Sequence, residues 1–212
     1  MYDFFQNKII FINYILDMSK EIVMIEFSNE MIEESIKQAK KREPFIRHHF
    51  ELKHFSGEER NKIGFLGEFA CCEFFGIDWK QNIREDYLTI DDFDFSIKHL
   101  KVDVKTETVP SSFINSILKG EINDDEPWGR RLINKGQVPL LNKYDVVIFG
   151  LIDRNNRSGW YPIGYMTTKN ILENYSIQTK MPFGTKNYPS PAMAIRTSEL
   201  KSLSLLKSTL QR

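Results

Sequence analysis

The chain contains only two cysteines, Cys71 and Cys72, and they are adjacent. Adjacent cysteines can form a disulfide only with strained geometry, and two thiols are too few for a structural zinc cage. The four histidines include no HExxH pair and no CxxC partner, so the common zinc motifs are excluded. This sparing use of cysteine is typical of a reduced intracellular protein, and we expect a cytoplasmic location.

Long hydrophobic runs are also missing. No segment reaches the roughly 18 uncharged apolar residues that a membrane span needs, so we expect no membrane partner. Residues 4–16 are apolar only in patches and lack the small-residue cleavage site of a signal peptide. No internal repeat or low-complexity linker divides the 212 residues. We therefore expect an N-terminal extension over residues 1–23 and one domain over residues 24–212.

The chain has no net charge, but its charged residues are unevenly spread. Residues 1–35 hold seven acidic and two basic side chains, whereas residues 178–212 hold six basic and one acidic. Residues 127–160 are also basic, with six basic side chains against two acidic ones. Basic charge can thus gather on one face and bind a polyanion, although scattered, solvated lysines explain the same counts equally well.

The first half of the chain carries clear helix signals. An apolar stripe predicts a helix over residues 28–42, which Pro44 ends. Ser56 and Glu59 form a capping box that opens a second helix, which Gly76 ends. Gly64 and Gly67 lie inside this second helix at a cost of up to ~1 kcal/mol each. We therefore expect both glycines to pack closely against another element.

Strand signals follow. Residues 93–97 and 101–106 form two short extended runs with a turn between them, which predicts a hairpin. The almost wholly apolar residues 144–152 predict a central buried strand. Gly159–Thr167 predicts a further strand, with Pro162 at an edge or a bulge. Helix, hairpin, strands and a terminal helix in this order predict an α/β domain with a mixed central β-sheet flanked by helices.

Three shorter segments complete the second half. Residues 168–175 are compatible with a short helix. Residues 176–193 are rich in Pro, Gly, Asn and Ser and predict a loop. Ser198 is a candidate cap for a last helix with one leucine-rich side, formed by Leu200, Leu203, Leu206 and Leu210.

The hairpin carries the residues with chemical potential. Side chains alternate faces along a strand, so Val102 and Val104 should face a core while Asp103 and Lys105 share the opposite face. Asp94 lies nine residues before Asp103, and a turn over residues 98–100 brings it onto the neighbouring strand. Two carboxylates and one amine are therefore expected to converge.

This set of groups suits magnesium. Mg²⁺ is usually bound by one or two carboxylates together with waters and phosphate oxygens. Asp94 and Asp103 supply the carboxylates, the carbonyl of Val104 is a further candidate ligand, and Lys105 lies where it can assist an attacking water. Glu68 stands among uncharged helix neighbours, so it needs a partner, either a metal ion or Lys105.

Gly67-Glu68 on a helix, then Asp94, then Asp103-Val104-Lys105 resembles the PD-(D/E)XK nuclease superfamily, over about residues 56–107. The resemblance implies a restriction-endonuclease-like fold with Asp94 and Asp103 as metal ligands. It also implies that Lys105 is catalytic and that Glu68 completes the metal site. Phe93 stands where the family often has proline, and Asp91 and Asp92 are rival first ligands.

The resemblance implies a Mg²⁺-dependent endonuclease, with Mn²⁺ able to substitute, that hydrolyses phosphodiester bonds in DNA. A restriction-type role, products with a 5′-phosphate and a 3′-hydroxyl, and a homodimer that cuts both strands are expected. Trp128, Arg130 and Arg131 are candidate nucleic-acid contacts, although Trp128 suits a core position equally well. One alternative is a non-cleaving nucleic-acid-binding protein with this fold. Another is a structural protein whose hairpin charges are only surface charges.

Overall fold

The computed structural model of the chain describes residues 22–45, 56–85, 87 and 94–211. The expected extension over residues 1–23 lies almost wholly outside this part, as do Asp91, Asp92 and Phe93. The helices are α1 (Asn29–Arg42), α2 (Gly57–Phe75), α3 (Ser111–Lys119), α4 (Thr168–Asn174) and α5 (Leu203–Gln211). The strands are β1 (Ile25–Glu26), β2 (Phe95–Ile97), β3 (Leu100–Val109), β4 (Arg130–Asn134), β5 (Val146–Asp153), β6 (Gly159–Thr167), β7 (Ile177–Lys180) and β8 (Asn187–Arg196).

The larger sheet has five strands in the order β1-β6-β5-β3-β2. Strands β3 and β5 run parallel, in a register from Val102↔Val146 to Val109↔Asp153, and the other pairs are antiparallel. Seven of the eight residues of β5 are buried, which explains their apolar character in the central strand position. The expected α/β architecture with a mixed sheet and packed helices is confirmed.

The two predicted helix starts are confirmed in detail. The hydroxyl of Ser28 accepts a hydrogen bond from the backbone N–H of Met31, and that of Ser56 accepts one from Glu59. Each bond satisfies an N–H group that has no partner within the first helical turn. Helix α2 ends at Gly76 with φ +74°, a left-handed conformation that glycine adopts without steric cost.

Close packing of α2 on the sheet depends on one of its two internal glycines. A Cβ atom on Gly67 would overlap the side chain of Thr106 in β3, whereas one on Gly64 would meet nothing within 4 Å. The expectation of close packing is therefore confirmed for Gly67 and wrong for Gly64. Contact at Gly67 places the next residue, Glu68, beside the β2–β3 hairpin.

A second sheet corrects the prediction of a loop over residues 176–193. Strands β7 and β8 form a hairpin within it, and β4 pairs with the other side of β8, giving the order β4-β8-β7. Pro189 and Pro191 precede the β4 pairing, which begins at Ala192, and lie where the β7–β8 register shifts. Proline is tolerated there because the regular ladder of hydrogen bonds is interrupted.

Two further details differ from, or refine, the sequence-based expectations. Ser198 does not cap the last helix, because its hydroxyl and its N–H both bond to Asp124, and α5 begins only at Leu203. Pro162 lies at a bulge rather than an edge: Phe149 pairs with Gly164, while Gly150 pairs with Pro162. The bulge leaves one residue of β6 without an opposite partner. The regular hydrogen-bond ladder is interrupted there, so the N–H that proline lacks is not needed.

Candidate active site at the edge of the hairpin

Asp94 immediately precedes β2, and its side chain reaches the edge of β3. Its backbone N–H donates to the carbonyl of Val102 at 3.0 Å, which continues the pairing by one residue. Its Oδ2 accepts from the backbone N–H of Val104 at 2.7 Å. A residue's N–H and C=O point to the same side of a strand, so the carbonyl of Val104 faces this edge as well.

Val102 and Val104 lie in the main core. Asp103 and Lys105 lie on the opposite face of β3. The Nζ atom of Lys105 is 2.6 Å from Oδ1 of Asp103. Oδ2 of Asp103 is buried and has no hydrogen-bond partner among the described residues. Burial raises the pKa of Asp103 to about 6, with Lys105 opposing the rise and Asp94 adding to it. The structure thus brings Asp103 and Lys105 into contact, and Asp94 lies near enough for its charge to act on Asp103.

Glu68 is a buried carboxylate on the side of α2 that faces the segment before the hairpin. Its Oε2 accepts a hydrogen bond from Nδ2 of Asn82 at 3.1 Å and lies 3.7 Å from Nη2 of Arg84. Burial raises its pKa to about 7, and the charge of Asp94 adds to the rise, whereas Arg84, Arg42 and Asn82 lower it. Among the described residues, the cation that pairs with it is Arg84, not the Lys105 that was considered from the sequence.

Arg84 links Glu68 to Asp94, a role that the sequence analysis missed. Its Nη2 atom is 3.7 Å from Glu68 Oε2 and 3.6 Å from Asp94 Oδ1. Its guanidinium carbon also lies 5.9 Å from the centre of the Tyr87 ring, and that of Arg42 lies 6.0 Å from the same ring. Arg84 follows a short turn without periodicity, so its only sequence signal was that buried carboxylates need cations nearby.

The phenol of Tyr87 anchors the ring against which Arg84 and Arg42 lie. Its hydroxyl donates to Oε1 of Gln38 at 2.6 Å, and Gln38, fully buried in α1, donates in turn to Glu34. Helix α1 thereby holds the ring on which both arginines stack. Among the described residues, the site contains three carboxylates (Glu68, Asp94, Asp103) and three cations (Arg42, Arg84, Lys105), so the formal charges of these six groups balance.

The donor set fits a divalent cation of the magnesium type. Among the described residues no group of three or more His, Cys, Asp or Glu side chains is close enough to hold a metal ion. Magnesium does not require one, because one or two carboxylates with waters and phosphate oxygens are its usual ligands. Asp94 and Asp103 supply two carboxylates, and Oδ2 of Asp103 is an acceptor without a donor. Glu68 pairs with Arg84, which in turn lies beside Asp94.

The three candidate nucleic-acid contacts lie outside this site, and each makes contacts within the fold. Arg131 is completely buried, with Nη1 2.8 Å from Glu107 and Nη2 bonded to the carbonyl of Trp128, so it is placed where no nucleic acid can reach it. Arg130 pairs with Asp125 and bonds to the carbonyl of Asp124. Trp128 is half-buried against an apolar cluster, with Arg154 over its ring.

No protein-family model, curated protein or solved structure matches this chain. Within the described ranges, no helix is both long enough and apolar enough to cross a bilayer. A functional hypothesis for the chain therefore depends on the geometry at the hairpin edge.

Proposed function

We propose that the chain is a Mg²⁺-dependent endonuclease that hydrolyses phosphodiester bonds in DNA. The observation that carries the proposal is the pairing of Asp103 with Lys105 at 2.6 Å beside Asp94, with Oδ2 of Asp103 buried and unpartnered. Folding gains little from burying a carboxylate oxygen without a donor, because its desolvation costs about 1–3 kcal/mol or more. A cation that binds there offsets this cost and accounts for the buried charge.

Each residue has a role in this proposal. Asp94, Asp103 and the carbonyl of Val104 hold the ion, which when bound offsets the negative charge that develops on the phosphate. The ammonium group of Lys105 orients the attacking water and adds a second positive charge. The oxygen of that water forms a bond to phosphorus as the bond to the 3′ oxygen breaks; the water gives up a proton and the leaving oxygen gains one. Glu68 is a positioning residue, because it holds Arg84 beside the site.

The first test is cleavage of plasmid and single-stranded DNA with Mg²⁺ or Mn²⁺. We expect the native chain to cut and Lys105→Ala to lose about 10²–10⁴ of the rate, because both water orientation and charge stabilisation disappear. Lys101→Ala is the matched control, since it removes an exposed lysine from the same strand. Its rate should stay within about threefold of the native rate, the size expected for a surface charge.

Three outcomes contradict the proposal or change it. Equal cutting by the native chain and Lys105→Ala would indicate a contaminating nuclease and refute the assignment of the site. Metal and DNA binding without cutting would favour the non-cleaving nucleic-acid-binding alternative. Cutting of RNA alone would preserve the chemistry and correct the substrate. If double-strand cuts appear, sedimentation of the chain with DNA tests whether a homodimer makes them.

A further inference from the structure

Arg84 occupies a central position among the site carboxylates. Its side chain is only 13% exposed, and Nη2 lies 3.7 Å from Glu68 Oε2 and 3.6 Å from Asp94 Oδ1. Both distances exceed the 2.7–2.9 Å of a charge-assisted hydrogen bond. The guanidinium therefore acts on both carboxylates mainly through its charge, which is the way a bound metal ion would act on Asp94.

Asp94 cannot serve both cations equally. Its Oδ2 already accepts from the N–H of Val104 at 2.7 Å, which leaves Oδ1 as the oxygen that does not bond to the strand. Oδ1 is the atom nearest to Arg84. A divalent ion on Oδ1 would lie within a few ångströms of the guanidinium, and at that separation like charges repel strongly in a partly buried site.

We propose that Arg84 is an internal counter-ion that competes with the divalent metal for Asp94, so that the metal must displace its guanidinium in order to bind. The inference rests on the proposed metal site and adds a property that the site pattern does not contain. In the metal-free chain Arg84 offsets the charges of Glu68 and Asp94. In the metal-bound chain its guanidinium moves away from Asp94, and Tyr87 and Glu68 keep it beside the site.

The test is a titration of the metal-free chain with Mn²⁺, followed by calorimetry and by the loss of the free-ion electron paramagnetic resonance signal. We expect Arg84→Gln to bind Mn²⁺ about tenfold more tightly than the native chain, because a repelling unit charge has been removed at short range. Arg84→Lys keeps the charge and should stay within about twofold of the native affinity. Arg157→Gln is the control for net charge: its arginine pairs with Glu59, about 13 Å from Glu68 along α2. It should bind like the native chain.

The variant Asp103→Asn distinguishes a failure of this inference from a failure of the proposed function. Native binding that falls at least tenfold in Asp103→Asn places the metal at the site, and unchanged affinity in Arg84→Gln then overturns the competition alone. No site-specific Mn²⁺ binding by the native chain overturns both.

Native protein provides a second measurement if Arg84→Gln does not fold. A crystal soaked with Mn²⁺ should show anomalous density on Asp94 and Asp103, with Nη2 of Arg84 moved away from Asp94. Metal density with Arg84 still at its metal-free distance from Asp94 would overturn the proposal.

Discussion

Glu68 and Asp103 are carboxylates that the fold removes almost completely from water, with exposed fractions of 4% and 3%. A buried charge is costly unless cations and hydrogen-bond donors compensate it. The compensation here is incomplete, since the pKa of Glu68 is raised to about 7 and that of Asp103 to about 6. Shifted pKa values within a cluster of charged groups are typical of functional sites, where a group's protonation must suit its chemical role.

The raised pKa of Glu68 makes the stability of the chain depend on pH. The folded chain holds the Glu68 proton more tightly than the unfolded chain, whose carboxyl titrates near 4.5. The stabilisation is therefore complete below pH 4.5 and is lost as pH rises through about 7. We expect Glu68→Gln to be more stable than the native chain by roughly 2–3 kcal/mol at pH 8, and the difference to vanish near pH 4.5.

Urea unfolding of both proteins at pH 5, 6, 7 and 8, with chelator present, measures this difference. Chelator is needed because a bound metal ion would itself change the titration of the site. A stability difference that stays constant over the four pH values would contradict the assignment of the titrating group to Glu68.

The packing of α2 against β3 is the contact between elements on which the site depends. Gly67 faces Thr106, and Oγ1 of Thr106 accepts a hydrogen bond from Nε1 of the buried Trp160. The helix therefore lies close to the strand at one turn, and the residue after that glycine is Glu68. A wider spacing here would move Glu68 away from Asn82 and Arg84.

Alanine substitutions of the two α2 glycines distinguish the effect of this packing on stability from the effect of helix propensity. Gly67→Ala should lower the free energy of unfolding by roughly 1–3 kcal/mol or more, because its Cβ overlaps Thr106 and an overpacked core must shift. Gly64→Ala is the matched control, with open space around its Cβ. It should raise stability by up to about 1 kcal/mol through helix propensity alone. Thermal and urea unfolding of the two variants measure both effects; equal changes would show that α2 does not need the close approach.

At the scale of the whole molecule, Glu107 and Arg131 connect the two sheets. Glu107 lies on β3, two residues beyond Lys105, and Arg131 lies on β4. Oε2 of Glu107 accepts from Arg131 Nη1 at 2.8 Å, and its Oε1 accepts from the N–H of Leu132 at 2.9 Å. Arg131 also bonds to Thr197, which follows β8. The ion pair of buried Arg131 with partly buried Glu107 thus ties the second sheet to the strand that carries the site.

Removal of one partner should be costly. Arg131→Met is expected to lower the free energy of unfolding by about 3–5 kcal/mol, because Glu107 keeps its charge in a largely buried position. Adding Glu107→Gln should restore much of the loss, since glutamine removes the charge and still accepts from Leu132. The measurement is chemical denaturation of the native chain, the single variant and the double variant. A double variant no more stable than Arg131→Met would show that the charge of Glu107 is not the cause.

Local chemistry in the sequence was sufficient for much of this fold. Ser28 and Ser56 marked two helix starts, Gly76 marked a helix end, and the apolar run over residues 144–152 marked the central strand. The alternation around Asp103 and Lys105 predicted that they share a face. These predictions succeeded because capping, left-handed glycine conformations and strand periodicity involve only neighbours in the chain.

Other features were decided by contacts distant in sequence. The second sheet formed from residues of loop-like composition because β4 supplies hydrogen-bond partners to β8, and such pairing overrides local propensity. Arg131 was expected at a nucleic acid and instead lies buried against Glu107, since composition does not reveal where a basic side chain ends up.

The sequence by itself determined which groups can act at the hairpin edge. Two carboxylates and a lysine stand at the spacing of two antiparallel strands joined by a short turn, and a glutamate follows a glycine within a helix. Only the tertiary structure decided how those charges are compensated. Arg84 comes from a segment without a recognisable pattern and Arg42 from the end of a predicted helix, and folding stacks both on Tyr87 beside Glu68 and Asp94. The physical reason is that electrostatic compensation depends on distance in space, which the order of residues does not specify.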